Sequence, residues 1–111
     1  MSKIKTILPS LKEKKRYISF EVVSDNNFSF NEIKKEINKH ILKILGEKGY
    51  SKAGIMFIDT NTKNQGIIKT NNKELINTRA ALTLINEINN KKLIIKCRKV
   101  SGILKKAKNS L

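Results

Sequence analysis

The period of the apolar residues changes along this chain in an order that few folds accept. From Arg16 to Val23 it is two: Ile18, Phe20 and Val22 fall on one face and Tyr17, Ser19 and Glu21 on the other, as in a half-buried strand. Asp25-Asn26-Asn27 then reads as a turn. Ser29 and Glu32 have capping-box spacing, and Phe28 and Ile33 sit where a hydrophobic staple closes over it. The helix so opened buries Ile33, Ile37, Ile41, Ile44 and Leu45, and is expected to stop near Gly46 or Gly49. Ile55 to Ile58 and Gly66 to Thr70 read as two strands joined by the turn-rich Asn61-Thr62-Lys63-Asn64. Asn71 and Glu74 open a second helix, expected to run to about Ile88, where Asn89-Asn90 breaks it. Leu93 to Arg98 is the fourth strand, and Ser101 is placed to cap a short helix carrying Ile103, Ala107 and Leu111 on one side.

Strand, helix, strand, strand, helix, strand is the βαββαβ order of ferredoxin-like and RRM-like folds. These are single-domain α+β sandwiches with both helices on one face of an antiparallel sheet. The expected division is a basic lead over residues 1–15, holding the only proline, Pro9, then the sandwich over 16–100, then a short basic helix over 101–111 packed on the same domain. No internal repeat or linker divides it.

Charge narrows the function. The 111 residues carry 24 Lys and Arg against 9 Asp and Glu, a formal charge of +15, and such a surface repels itself unless a polyanion lies against it. AT-rich coding would favour Lys, Asn and Ile, but it would also raise Glu, which is scarce. Only Arg16, Arg79 and Arg98 are arginines, so that bias chose Lys over Arg without creating the excess. Nucleic acid, and RNA in particular, is the expected partner. The apolar runs are too short to span a bilayer, and the start lacks the apolar stretch of a secretory signal. With a single cysteine, Cys97, the chain has no internal disulfide and no Cys-rich zinc site, so it reads as cytoplasmic and metal-free.

Few residues could support catalysis. His40 is the only histidine and lies at the edge of the first helix's apolar stripe, as a helix-edge residue rather than a general base. Glu21, Asp59, Glu74 and Glu87 are scattered over different elements, Cys97 falls among strand residues, and Gly66 and Gly102 are isolated. Stacking of bases on the sheet, the RRM route to RNA, is also disfavoured. The third strand has no aromatic, and Tyr17 and Phe20 of the first point to opposite faces. Recognition of backbone or shape by lysines is the expected mode. In this topology the start of the first strand lies beside the end of the fourth. Lys12, Lys14, Lys15 and Arg16 are therefore expected to converge with Lys96, Arg98, Lys99, Lys105, Lys106 and Lys108 at one end of the domain.

The helices differ. The first exposes Lys35, Lys39 and Lys43, an ordinary solvated face. The second is apolar around most of its circumference, with a polar strip near Arg79, Thr83 and Asn86. Packing against the sheet, the first helix and the C-terminal helix explains this best, ahead of a protein partner. A partner surface would involve Leu42, off the first helix's stripe, with Leu82 and Ile85, and could also serve a homodimer.

Together these residues resemble a family. Leu8-Pro9-Ser10-Leu11-Lys12-Glu13-Lys14-Lys15-Arg16-Tyr17-Ile18-Ser19-Phe20-Glu21-Val22 looks like the opening of archaeal ribonuclease P protein component 2. Leu42, Leu45-Gly46-Glu47 and Gly49 resemble that family's first-helix ending, and Gly66-Ile67-Ile68-Lys69 its third strand. Arg79-Ala80-Ala81-Leu82 resembles its second helix, and Val100-Ser101-Gly102 its exit from the last strand. Lys12 stands where the family often has Arg, which weakens any expectation of bidentate phosphate contact there. The resemblance implies an RRM-like accessory subunit of an RNA enzyme that removes the 5′ leader from precursor tRNA. Its partners would be the ribonuclease P RNA, a TIM-barrel-like protein subunit, other protein components and, through the complex, precursor tRNA. Magnesium would belong to the RNA active site, with no cofactor on the protein. The alternative is a ribosomal or other RNA-associated protein of the same fold.

Overall fold

The computed structural model describes residues 14–111. Its strands are β1 (Lys15–Val23), β2 (Met56–Ile58), β3 (Gln65–Asn71) and β6 (Ile94–Ser101), joined in one antiparallel sheet of order β2-β3-β1-β6. Helix α1 (Phe30–Ala53) follows β1, and α2 (Leu75–Leu84) follows β3 through a 3-10 turn (Asn72–Glu74). The alternation in β1 sets the layers. Ile18, Phe20 and Val22 are buried in one cluster with Ile33, Ile37 and Ile41 of α1 and with Ala81 and Leu82 of α2.

Helix α1 opens as its sequence requires, with the Ser29 hydroxyl accepting from the Glu32 amide at 3.2 Å. It is interrupted at Gly46, one of the two expected stops, and helical backbone resumes beyond it. Gly46, at φ 73° and ψ 174°, breaks the helix for one residue, and a further stretch runs on to a left-handed Gly54. The Tyr50 hydroxyl donates to Asn38 Oδ1 at 2.5 Å, tying the two parts together across the break.

Helix α2 is shorter than its apolar content predicts. It ends at Leu84, and Glu87–Ile88 (β4) pairs with Lys91–Lys92 (β5) in a hairpin. Asn89 and Asn90 hold φ of 53° and 65°, the left-handed pair that a type I′ turn needs. The hairpin still buries Ile85, Ile88 and Leu93, so the same apolar residues reach the core without helical backbone.

Strand β6 is longer than expected, and its register shifts against Ser19 and Phe20. Cys97 pairs with Phe20 and Lys99 with Ser19, leaving Arg98 as the extra residue of a bulge. The bulge lets both Ile95 and Val100 face the core, which strict alternation would forbid.

Helix α3 (Leu104–Asn109) does not pack against α2, the position expected from the sequence. It crosses the opposite face of the sheet. Ser110 Oγ lies 2.7 Å from Ser19 Oγ, and Ser19 points away from the Ile18–Phe20 face. Ile67, directly across from Ser19, is fully buried, as is Ala107 of α3. Both faces of the central strands are thus covered.

Gly66, paired with Phe20, leaves no room for a side chain. A Cβ there would stand 2.6 Å from Phe20 Cζ and 3.1 Å from Phe30 Cε1. Gly66→Ala should therefore cost roughly 1–3 kcal/mol in urea unfolding, through displacement of a core ring.

Candidate nucleic-acid interface

Antiparallel pairing assembles a basic end. Tyr17 pairs with Ser101 and Lys15 with Asn71, so the start of β1 meets the exits of both β6 and β3. The Asn72 amide donates to the Lys14 carbonyl at 2.7 Å. Arg16 donates to the Lys15 carbonyl at 3.0 Å, and its guanidinium lies beside Gly102. Lys105 and Lys106 project from the first turn of α3, just past Ser101, whose hydroxyl accepts from the Ile103 amide at 3.0 Å. Of the expected set, Lys14, Lys15, Arg16, Lys105 and Lys106 come together here, with Lys99 two pairs further in, opposite Ser19. Lys12 lies outside the described residues.

Three expected members lie elsewhere. Lys96 pairs with Glu21, far down β1, and Lys108 lines a hollow with Asp59, Thr60, Gln65 and Leu111 at the other end of the sheet. Rise per residue decides this: from Tyr17 to Glu21 a strand advances about 13 Å. Helix α3, folding back over the sheet, carries Lys108 the same way. Arg98, at the bulge, faces a groove on the outer edge of β6 rather than the basic end.

Helix α1 adds contributors that the sequence motifs did not single out. Asn71 Nδ2 donates to the Lys52 carbonyl and Thr70 Oγ1 to the Ala53 carbonyl at 3.4 Å, so the last turn of α1 is fastened to the end of β3. Lys52 thereby joins the basic end and lines a groove with Asn71, Lys73 and Glu74. The ammonium of Lys15 sits over Gly54, 3.0 Å from where a Cβ would stand, and so also faces the negative end of the α1 dipole. Tracing α1 back to the start of β2 would have put Lys52 here from sequence alone.

The sheet face that an RRM offers to bases is partly closed by α3. Phe20 is fully buried in the core, and Tyr17 is partly exposed beside Lys69 and Ser101. His40 Nδ1 lies 3.0 Å from the Glu36 carbonyl and 3.8 Å from its carboxylate, as a helix-edge residue would. Among the described residues no three His, Cys, Asp or Glu side chains cluster as a metal site would need. No helix among them is long and apolar enough to cross a membrane.

The partner candidates on the second helix require correction. Leu82 is fully buried and Ile85 nearly so, because both close the core beneath α2 and the hairpin. The exposed apolar residues of α2 are instead Ile76, Ala80 and Leu84, at i, i+4 and i+8, with Ile76 80% and Leu84 60% exposed. Leu42 on α1 is 43% exposed.

The model of the Rpp14/Pop5 family matches residues 16–111, from the first strand through the C-terminal helix. The chain belongs to this family. It is 42% identical over 110 residues to ribonuclease P protein component 2 of Pyrococcus horikoshii, covering 97% of this chain and 91% of that one. To the protein of the same name from Methanocaldococcus jannaschii it is 35% identical over 105 residues, covering 95% and 78%. A chain in the cryo-EM structure of yeast ribonuclease MRP superposes with a TM-score of 0.66 at 9% identity, over 88% of this chain and 86% of that one. The last of these establishes likeness of fold. The Rpp14/Pop5 match begins at Arg16, so Lys14 and Lys15 of the basic end precede it.

Cys97 lies in the groove on the outer edge of β6, away from the basic end. Burial pushes its thiol above the ordinary range, while the charge of Arg79 and a hydrogen bond from it pull the other way. At neutral pH the thiol is therefore protonated and slow to alkylate. Its alkylation rate should rise only as pH climbs past the ordinary thiol range, and unfolding in urea should accelerate it. Arg79→Gln should move the pH midpoint higher still.

Proposed function

We propose that this chain is a protein subunit of ribonuclease P, supporting the catalytic RNA in removing the 5′ leader from precursor tRNA. One observation carries this reading. Lys14, Lys15, Arg16, Lys52, Lys105 and Lys106, contributed by the start of β1 and by two helices, meet at one end of a domain of this family. The relatives that match nearly the whole chain carry that subunit's name. Such a surface lowers the free energy of a folded RNA by displacing its condensed counterions, and it orients the RNA without reading its sequence. Magnesium and the hydrolytic step belong to the RNA in this reading. The protein's part is to hold and position, in the cytoplasm, as an accessory and not as a nuclease.

In a reconstituted particle the full chain should accelerate leader removal, and alone in magnesium it should cleave nothing. Changing Lys14, Lys15, Lys105 and Lys106 to Gln should weaken RNA binding several times more than changing Lys35, Lys39 and Lys43. For every phosphate deprived of its lysine, the slope of log affinity against log salt should also flatten by about 0.7–0.9. Equal losses per lysine would mean diffuse attraction and would overturn the basic end as the site.

The protein partner belongs on the exposed stripe of α2. Ile76, Ala80 and Leu84 form one apolar ridge on a helix whose other side is core, and a TIM-barrel-like subunit of the same particle is the occupant we assign to it. Ile76→Lys with Leu84→Lys should abolish pairing in gel filtration while leaving the circular dichroism unchanged. Leu82→Lys should instead unfold the chain. Loss of self-association in the double variant, with pairing to that subunit intact, would assign the ridge to a homodimer.

A further inference from the structure

The chain uses arginine only at 16, 79 and 98, and the fold brings all three to strand β6. Arg16 lies against Gly102 at its exit, Arg98 is the bulge residue within it, and Arg79 reaches it from α2. Between α2 and the outer edge of β6 runs a groove lined by Arg79, Thr83, Lys96, Cys97, Arg98 and Ser110. No acidic side chain lines it. Strand β6 is an edge strand, so the groove opens to solvent along its unpaired side.

Arg79 and Arg98 face this groove with no carboxylate in its lining, so they repel each other, while Lys96 lies opposite Glu21 across the strand pair. The arrangement becomes favourable when an anion with several acceptor oxygens enters. Guanidinium is the group suited to this. It is planar, permanently charged, and presents paired N–H donors that match a phosphate edge to edge, which ammonium cannot do. In a chain that otherwise uses lysine so heavily, two guanidiniums facing one groove mark the place where fork geometry matters. Arg79 lines the groove beside Cys97, whose thiol packs against the core opposite Phe20. The bulge turns Arg98 out of the ladder toward the same groove.

We propose that this groove is a second RNA contact, distinct from the basic end, in which Arg79 and Arg98 grip phosphodiester groups of the RNA backbone as bidentate forks and Lys96 adds charge. It rests on the ribonuclease P reading above, and the tests separate the two.

Cys97 lines the groove and is the only cysteine in the chain, so the unaltered protein carries its own label. With a saturating amount of the ribonuclease P RNA, alkylation of Cys97 by a small neutral reagent should slow at least about fivefold. Inorganic phosphate alone should give little protection. An unchanged rate with RNA bound, or protection by the protein partner and not by RNA, would overturn the proposal. As a second test, Arg79→Lys with Arg98→Lys keeps every charge and removes both forks. Its RNA affinity should fall roughly tenfold or more, with the salt slope unaltered. Wild-type affinity in this variant would overturn the fork. Absence of RNA binding by the unaltered chain would instead reject the function assigned above, before the groove is tested.

Discussion

Strand β1 lies at the centre of the sheet and is paired on both sides, with β3 and with β6. One of its faces supplies Ile18, Phe20 and Val22 to the core, and the other supplies Ser19 to the underside of α3. Because pairing is antiparallel on both sides, the beginning of β1 is forced to lie between two strand exits. Every basic residue at those three chain positions then shares one end of the molecule. A slip of one residue in this strand would turn its apolar side chains to the wrong face and separate the lysines as well. Folding and the electrostatic surface thus depend on the same register.

The excess of positive charge is arranged rather than spread evenly. Lys35, Lys39 and Lys43 lie on a solvated helix face, where the cost of repulsion is small. The basic end and the β6 groove are denser, and the local structure tolerates them differently. At the end, Lys15 faces the α1 C-terminus and Glu74 stands near Lys52 and Lys73. In the groove, Arg79 and Arg98 share a lining that holds no carboxylate. A polyanion tracking from one region to the other would follow β6 past Arg16.

Covering the second face of the sheet changes what this fold can do. The short α3 buries Ile67 and Ala107 and hydrogen-bonds through Ser110, so the central strands are not a platform for splayed bases. What remains accessible is the rim: the strand exits, the outer edge of β6 and the outer ridge of α2. These surfaces suit a protein that clamps a folded RNA and a neighbouring subunit together.

Local chemistry made much of this legible. The alternation at Ile18, Phe20 and Val22, the capping box at Ser29, the Asn71 cap and the strand order follow from side-chain periods that any such sequence must obey. The meeting of Lys14, Lys15, Arg16, Lys105 and Lys106 follows from those elements and one rule of topology. What the sequence could not settle were choices between structures that bury the same atoms. Ile85 and Ile88 reach the core equally well from a helix or a hairpin, and the left-handed Asn89-Asn90 pair tipped the balance to the hairpin. Glycine at 46 permits either a helix end or a one-residue break, and tertiary packing of Tyr50 on Asn38 selected the break. The apolar content of α2 could not say which side faces solvent, so burial claimed Leu82 and Ile85 and left Ile76 and Leu84 outside. The bulge at Arg98 and the path of α3 arise from contacts between residues distant in the chain, such as Ser19 with Ser110. Sequence therefore determined the elements, their order and the sign of the surface. Tertiary packing decided where the cations gather into sites, because only it fixes distances between segments that local periodicity leaves independent.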